Sequence, residues 1–189
     1  MNLQKDRNAF VAIMKSGLPV YWAPCFGEDN YETYWQADQR TLLESASRRL
    51  QRYFLYAFSK GTGIIGPAAG LAVADPVAFL NSPEEPTELW KVYGTPRNMW
   101  STASILDAAG LKIFRNKQGD YIASRRPAGE FTLEVRSYSF KRMKVFMDEK
   151  GNVQPGKPGN TEVFVLHKDD VGDYRASLEA VLARVFGGF

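Results

Sequence analysis

Apolar residues along this chain follow two rhythms, and each announces a different kind of element. In residues 3–16, Phe10, Val11, Ile13 and Met14 recur at the three-to-four spacing of an amphipathic helix that Gly17 stops. Residues 18–22, Leu-Pro-Val-Tyr-Trp, read as a first strand, and residues 23–30 as a loop holding Cys25 and Gly27. Asp38 is a good N-cap, and Leu42, Leu43, Ala46, Leu50, Tyr53, Phe54 and Ala57 carry helical spacing to about residue 58. The opposite face of that helix holds Arg40, Arg48, Arg49 and Arg52, a row that either meets water or contacts phosphate. Near the other end of the chain, Asp169 or Asp170 caps a final helix whose Tyr174, Leu178, Val181, Leu182, Val185 and Phe186 face inward.

Period two governs much of the stretch between. Residues 111–115 and 121–124 predict two strands joined by the turn Asn116-Lys-Gln-Gly-Asp120. Phe131, Leu133 and Val135 alternate with Glu130, Thr132, Glu134 and Arg136, as in a half-buried antiparallel strand. The phase then shifts, with Arg136, Tyr138, Phe140, Arg142 and Lys144 on one parity and Lys141, Met143, Val145 and Met147 on the other. That predicts a bulge or bend near Ser139. Residues 149–160 predict a mobile loop and 161–166 a strand. Gly61-Thr-Gly-Ile-Ile-Gly66 has the spacing of a dinucleotide fingerprint, but a helix precedes it and Pro67 and Gly70 break the helix that such a fingerprint needs after it, so it reads as a flexible loop. Together these elements predict an α+β fold, a mixed and largely antiparallel sheet with packed helices, in a single domain over residues 1–189.

The stretch 87–114 holds the candidate chemistry. Leu89, Val92 and Tyr93 suit a strand, Gly94 a turn and Pro96 the first turn of a helix. Met99, Ala103, Ile105, Leu106 and Ala109 then predict an apolar helical face that Gly110 caps. A Gly94-x-x-Arg97 turn opening a helix would aim free N–H groups and a guanidinium at one point, the geometry that holds phosphate. The alternative is a plain strand-to-helix connection with a surface arginine. In the first case Arg97 clamps the anion, the N–H groups after Gly94 and the Thr95 hydroxyl complete the cradle, and Asn98 or Ser101 adds donors. Glu88 either reaches a metal-bound phosphate or acts as a base, or points to solvent by strand alternation.

Composition narrows the classes. Hydrophobic residues at 44% and charged residues at 24% are those of a soluble globular chain. The net charge of +3 is small, yet residues 112–144 hold nine Lys and Arg against three Asp and Glu, leaving the rest net −3. This surplus, with Arg125, Arg126, Arg136, Arg142 and Lys144 beside Tyr138 and Phe140, suits phosphate contact with base stacking. Solvated charges beside buried rings would give the same pattern. Tyr31, Tyr34 and Trp35 likewise either fill a core or stack on bases. One Cys and one His exclude a disulfide framework, multi-His metal sites and His-dependent triads, and fit a reducing cytoplasm. Lys5-Asp6-Arg7 interrupts any secretory signal, and residues 64–80, broken by Pro67, Asp75 and Pro76, make a poor membrane span.

A hydrophobic strand, an aromatic residue, Gly94-x-x-Arg97, a helix with Ala103 and a short following strand resemble the ParB/sulfiredoxin superfamily and its Gly-x-x-Arg-x-x-Ala phosphate-binding turn. Trp100 stands in place of that final small residue. Thr95 replaces the sulfiredoxin cysteine, so sulfinic acid reduction is not expected, and Tyr93 and Pro96 replace the acid and His of other branches. Chain size, the start MNLQKDRNAF and the Trp and Tyr spacing are similar to the fertility-inhibition factors with which a conjugative plasmid blocks DNA transfer by a rival. The resemblance implies a ParB/sulfiredoxin-like fold with ATPase and DNase activity, ATP and Mg2+ as cofactors, and Arg97 and Glu88 as catalytic groups. It implies action on the transferred DNA or its nucleoprotein complex, or on the conjugative coupling ATPase, in the cytoplasm or at the inner membrane surface. A non-catalytic inhibitor that binds the transfer machinery or coats DNA is the alternative.

Overall fold

Side-chain caps mark where several of the helices begin. The computed structural model describes residues 6–24, 33–59, 75–87, 89–94, 96–154 and 158–188. In order they form α1 (Arg7–Met14), β1 (Tyr21–Trp22), β2 (Trp35–Ala37), α2 (Gln39–Leu43), α3 (Arg48–Ser59), α4 (Pro76–Asn81) and α5 (Trp90–Tyr93). Then come β3 (Arg97–Met99), α6 (Thr102–Ala108), β4 (Lys112–Arg115), β5 (Tyr121–Ser124), β6 (Leu133–Val135), β7 (Tyr138–Met147), β8 (Val153–Gln154), β9 (Thr161–Lys168) and α7 (Val171–Gly187). The chain is therefore α+β, with mixed sheets. Asp6, Asp38 and Asp75 accept backbone N–H groups at the starts of α1, α2 and α4, and Asp170 accepts from Asp173 at the start of α7.

The chain divides into two compact units. The first comprises residues 1–34, 100–110 and 136–174, and the second residues 35–99, 111–135 and 175–189, so the boundary falls inside α7.

In the first unit the strand order is β1-β9-β7-β8, with β1 parallel to β9 and the other pairs antiparallel. One sheet face is covered by α1: Met14 joins Met147, Val163 and Val165, with Phe10, Trp22 and Met143 packed around them. Tyr174 is buried and donates its hydroxyl proton to the Thr33 carbonyl at 2.9 Å, and the Thr33 hydroxyl donates to the Pro24 carbonyl. Gly159 lies against the Lys144 backbone, where a Cβ would overlap it.

The second unit holds the antiparallel sheet β5-β4-β6, the β2-β3 pair, helices α2 to α5 and most of α7. Gly119, at φ 96°, turns β4 into β5 as the Asn116–Asp120 spacing predicts. The single long helix expected from residue 38 to 58 is two helices. Ser47 caps the second through the Leu50 N–H, and the Gln51 side chain donates to the Leu43 carbonyl across the break. Of the arginine row, Arg40, Arg48 and Arg49 are exposed, as a solvated face expects, and Arg48 pairs with Glu85, whereas Arg52 is 5% exposed and donates to the carbonyls of Phe79 and Glu84. The phase shift expected near Ser139 is a change of sheet. β6 ends at Val135, Ser137 is buried with its carbonyl taking the N–H groups of Asp169 and Asp170, and β7 begins beyond it. Cys25, Tyr31 and the Gly61–Gly66 loop lie outside the described residues.

Candidate nucleic-acid interface

The turn at Gly94 does not open a helix. The residues before it form α5 rather than a strand, and Arg97–Met99 after it form β3, antiparallel to β2 with Ala37 opposite Arg97, Gln36 opposite Asn98 and Trp35 opposite Met99. The helix expected at Pro96 starts only at Thr102, with Ser101 at its N-cap, and Ser101 belongs to the first unit. Burial explains the reversal. Val92 is buried, its carbonyl accepts from Gln39 Nε2 at 3.0 Å, and the N–H groups of Val92 and Tyr93 return to the Leu89 carbonyl, which closes one helical turn. Met99 goes into a strand, and Ile105, expected inward, is 66% exposed.

Pairing sets where the turn's side chains go. Along β3, Arg97 and Met99 are half-buried on the side of Trp35 and Ala37, whereas Asn98 is exposed beside Gln36. A concavity of about 240 Å³ lies at the turn, lined by Gly94, Pro96, Tyr93, Asp38 and Arg175. Its arginine is thus Arg175, from α7, and the Arg40 guanidinium sits 5.2 Å from the centre of the Tyr93 ring. Burial raises the Tyr93 hydroxyl pKa, the Glu44 charge adds to that, and Arg40 opposes it. Thr95 and Glu88 lie outside the described residues. The predicted gathering of Arg97 with amides at a helix start is therefore absent among the described residues, as is any group of three His, Cys, Asp or Glu fit to hold Mg2+.

Of the basic residues, two come together. Arg142 and Lys144 stand on one face of β7, opposite Phe164 and Glu162 of β9, and both are exposed. Arg142 donates to Glu162 at 2.6 Å, and that carboxylate raises the guanidinium pKa further. Arg136 is exposed in the link before β7. Arg125 and Arg126 are exposed after β5, in the second unit.

The same face of β7 and β9 carries three rings that sequence periodicity does not bring together. Tyr21 of β1 stacks on Phe164, with centroids 4.8 Å apart and planes at 11°, and meets Phe140 edge-on at 5.1 Å. Tyr21 is 58% exposed. Beside them a groove of about 530 Å³ runs along Lys15, Leu18, Arg142, Glu162 and Phe164. The signal for this cluster is the pairing of β1 with β9, which joins residues far apart in the chain. Two-residue strands leave no such trace in periodicity.

The single histidine, which no sequence motif singles out, is held in place. Lys141 Nζ lies 3.3 Å from His167 Nε2, and His167 Nδ1 lies 2.9 Å from Asp169 Oδ1. Burial pushes the Asp169 carboxyl pKa up, but hydrogen bonds from Ser139, His167 and Lys141 outweigh it and leave the value below the usual range. The neighbour of His167 across the ladder is Ser139, so His167 is on the opposite sheet face from Tyr21.

Comparison of the chain with protein-family models, with characterised proteins and with solved structures finds no match. Among the described residues no helix is long and apolar enough to cross a membrane.

Proposed function

We propose that this chain is a fertility-inhibition factor of the ParB/sulfiredoxin-like kind that blocks conjugative or T-DNA transfer, binding nucleotide and DNA with ATPase and DNase activity. The observation that carries the DNA half is the face where Arg142 and Lys144 border the open Tyr21, Phe140 and Phe164 cluster: cations for phosphates beside rings for bases. The nucleotide half rests on the Gly94-x-x-Arg97 resemblance and on the small concavity at that turn, with Arg175 at its wall. In this reading Gly94, Thr95, Arg97 and Asn98 serve nucleotide phosphates, with Arg97 and Glu88 as the catalytic groups, and Arg136 extends the DNA contacts of the first unit. Mg2+ supplies charge neutralisation when it arrives on the nucleotide phosphates, an arrangement that asks few ligands of the protein. The site of action is the cytoplasm or the inner face of the membrane, on the transferred strand or its nucleoprotein complex.

One observation favours the non-catalytic alternative, in which the chain coats DNA or occupies the coupling ATPase. Arg97 lies in a strand, without the helix start that would complete an anion cradle. Replacing Arg97 by Ala and assaying ATP turnover, plasmid nicking in Mg2+ and inhibition of transfer on the same folded protein separates the two. The catalytic reading expects all three to fall together. Inhibition that persists after both activities are gone establishes the non-catalytic inhibitor.

A further inference from the structure

We infer that the exposed part of the first unit's sheet around Tyr21, Arg142 and Lys144 selects single-stranded over double-stranded DNA, with Tyr21 as the stacking platform; the inference rests on the reading of that surface as the DNA interface. Three observations carry it. Tyr21 has one ring face stacked nearly parallel on Phe164, and more than half of the residue is exposed, which leaves the far side of the ring to solvent. A base laid there continues the Tyr21–Phe164 stack, and Phe140 buttresses Tyr21 edge-on. The charges beside the stack suit a polyanion: Lys144 and Arg142 lie along β7, Lys15 lines the neighbouring groove, and Glu162 is the one acid among these groups.

Duplex DNA cannot use this surface fully. Its bases are stacked on one another inside the helix, so a sheet face reaches only phosphates and sugars. A single strand turns its bases outward and gains the stack as well as the phosphate contacts. The groove of about 530 Å³ next to Phe164 has room for a neighbouring nucleotide, with Arg142 at its edge.

The test measures binding of the full chain to a short oligothymidylate, to an abasic strand of equal length and to a duplex, at several salt concentrations. The expected result is that the oligothymidylate binds tightest. Tyr21→Ala and loss of the bases each weaken it by about tenfold or more, while Tyr21→Phe stays near the wild type. Equal binding of all three probes, insensitive to Tyr21→Ala but falling with salt, overturns the inference and leaves the DNA reading standing. Absence of binding to any probe at low salt overturns the DNA reading itself. The abasic strand needs no protein variant, so the result stands even where Tyr21→Ala folds poorly.

Discussion

The side chain of Asn160 grips the backbone of Met147 at two points: Asn160 Oδ1 accepts the Met147 N–H at 2.9 Å and Asn160 Nδ2 donates to the Met147 carbonyl at 2.9 Å. A side-chain amide thereby imitates one more rung of the sheet where β7 ends, and Asn160's own N–H returns to the Val145 carbonyl at 3.1 Å. Asn160→Ala removes both side-chain bonds and leaves two part-buried backbone groups to find water. The expected cost is about 1–2 kcal/mol of unfolding free energy. Denaturant titration checks it through a lower midpoint at unchanged slope, since the surface exposed on unfolding stays the same.

Elements legible in the sequence share a strong local period. The final helix shows it well: Tyr174, Leu178 and Val181 are buried as their spacing predicts, although Val185 at its end is 42% exposed. The β4 to β5 hairpin follows equally from Asn116, Gly119 and Asp120, whose bonds are local: Asp120 N–H to Asn116 Oδ1 at 2.8 Å and Asn116 Nδ2 to Asp120 Oδ2 at 2.9 Å. The stretch around Gly94 departs from its local pattern because its structure is decided elsewhere in the chain. Val92 is held as a helical turn by Gln39, and Arg97–Met99 are drawn into a strand by Trp35–Ala37. No window of neighbouring residues contains those partners. The aromatic cluster is hidden from periodicity for the same reason, since Tyr21, Phe140 and Phe164 meet only through sheet order. Arg142 and Lys144 are legible because residues two apart on one strand share a face whatever the strand pairs with.

A buried tyrosine, Tyr174, and a half-buried one, Tyr138, make the chain sensitive to alkali. Burial, with the Asp107 charge adding to it, pushes Tyr138 up to about 12, and burial together with the charge of ionised Tyr138 raises Tyr174 as well. Their rings meet edge-on at 6.2 Å. The folded chain keeps these protons to higher pH than the unfolded chain, so between the two values the unfolded state binds fewer protons and stability falls as pH rises. The contribution is complete below about pH 10, the ordinary tyrosine value, and drains away upward through the folded-state values. Tyr138→Phe is expected to flatten that decline. Tyr174→Phe should flatten it too, while costing about 1 kcal/mol at neutral pH through the lost bond to the Thr33 carbonyl. Denaturant midpoints across an alkaline series, read beside tyrosinate absorbance, check both.

Arg52 pins the turn that follows α4. It is buried, reaches the carbonyls of Phe79 and Glu84 with its two terminal nitrogens, and lies 5.3 Å from the centre of the Phe79 ring. A lysine keeps the charge but has a single nitrogen and no planar fork to serve two carbonyls at once. Arg52→Lys is therefore expected to cost about 2–3 kcal/mol, close to the loss from Arg52→Ala, because the hydrogen bonds to a charged group carry the effect. Hydrogen exchange that quickens in residues 79–86 before the rest of the second unit would locate the damage.

Salt dependence isolates what Lys144 contributes on the sheet face. It is exposed and sits two residues from Arg142, which shares its charge with Glu162. A phosphate contact by Lys144 releases a condensed counterion, so each such contact adds about 0.7 to the slope of log affinity against log salt for a single strand. Lys144→Ala is expected to lower that slope by about this amount and to weaken all sequences alike, because a phosphate contact reads no base. Glu162→Gln should act the other way, freeing Arg142 and removing the acid among these charges, and so steepen the slope. A slope unchanged in both variants would mean that phosphates run elsewhere on the molecule, and the exposed Arg125 and Arg126 would be the next pair to replace.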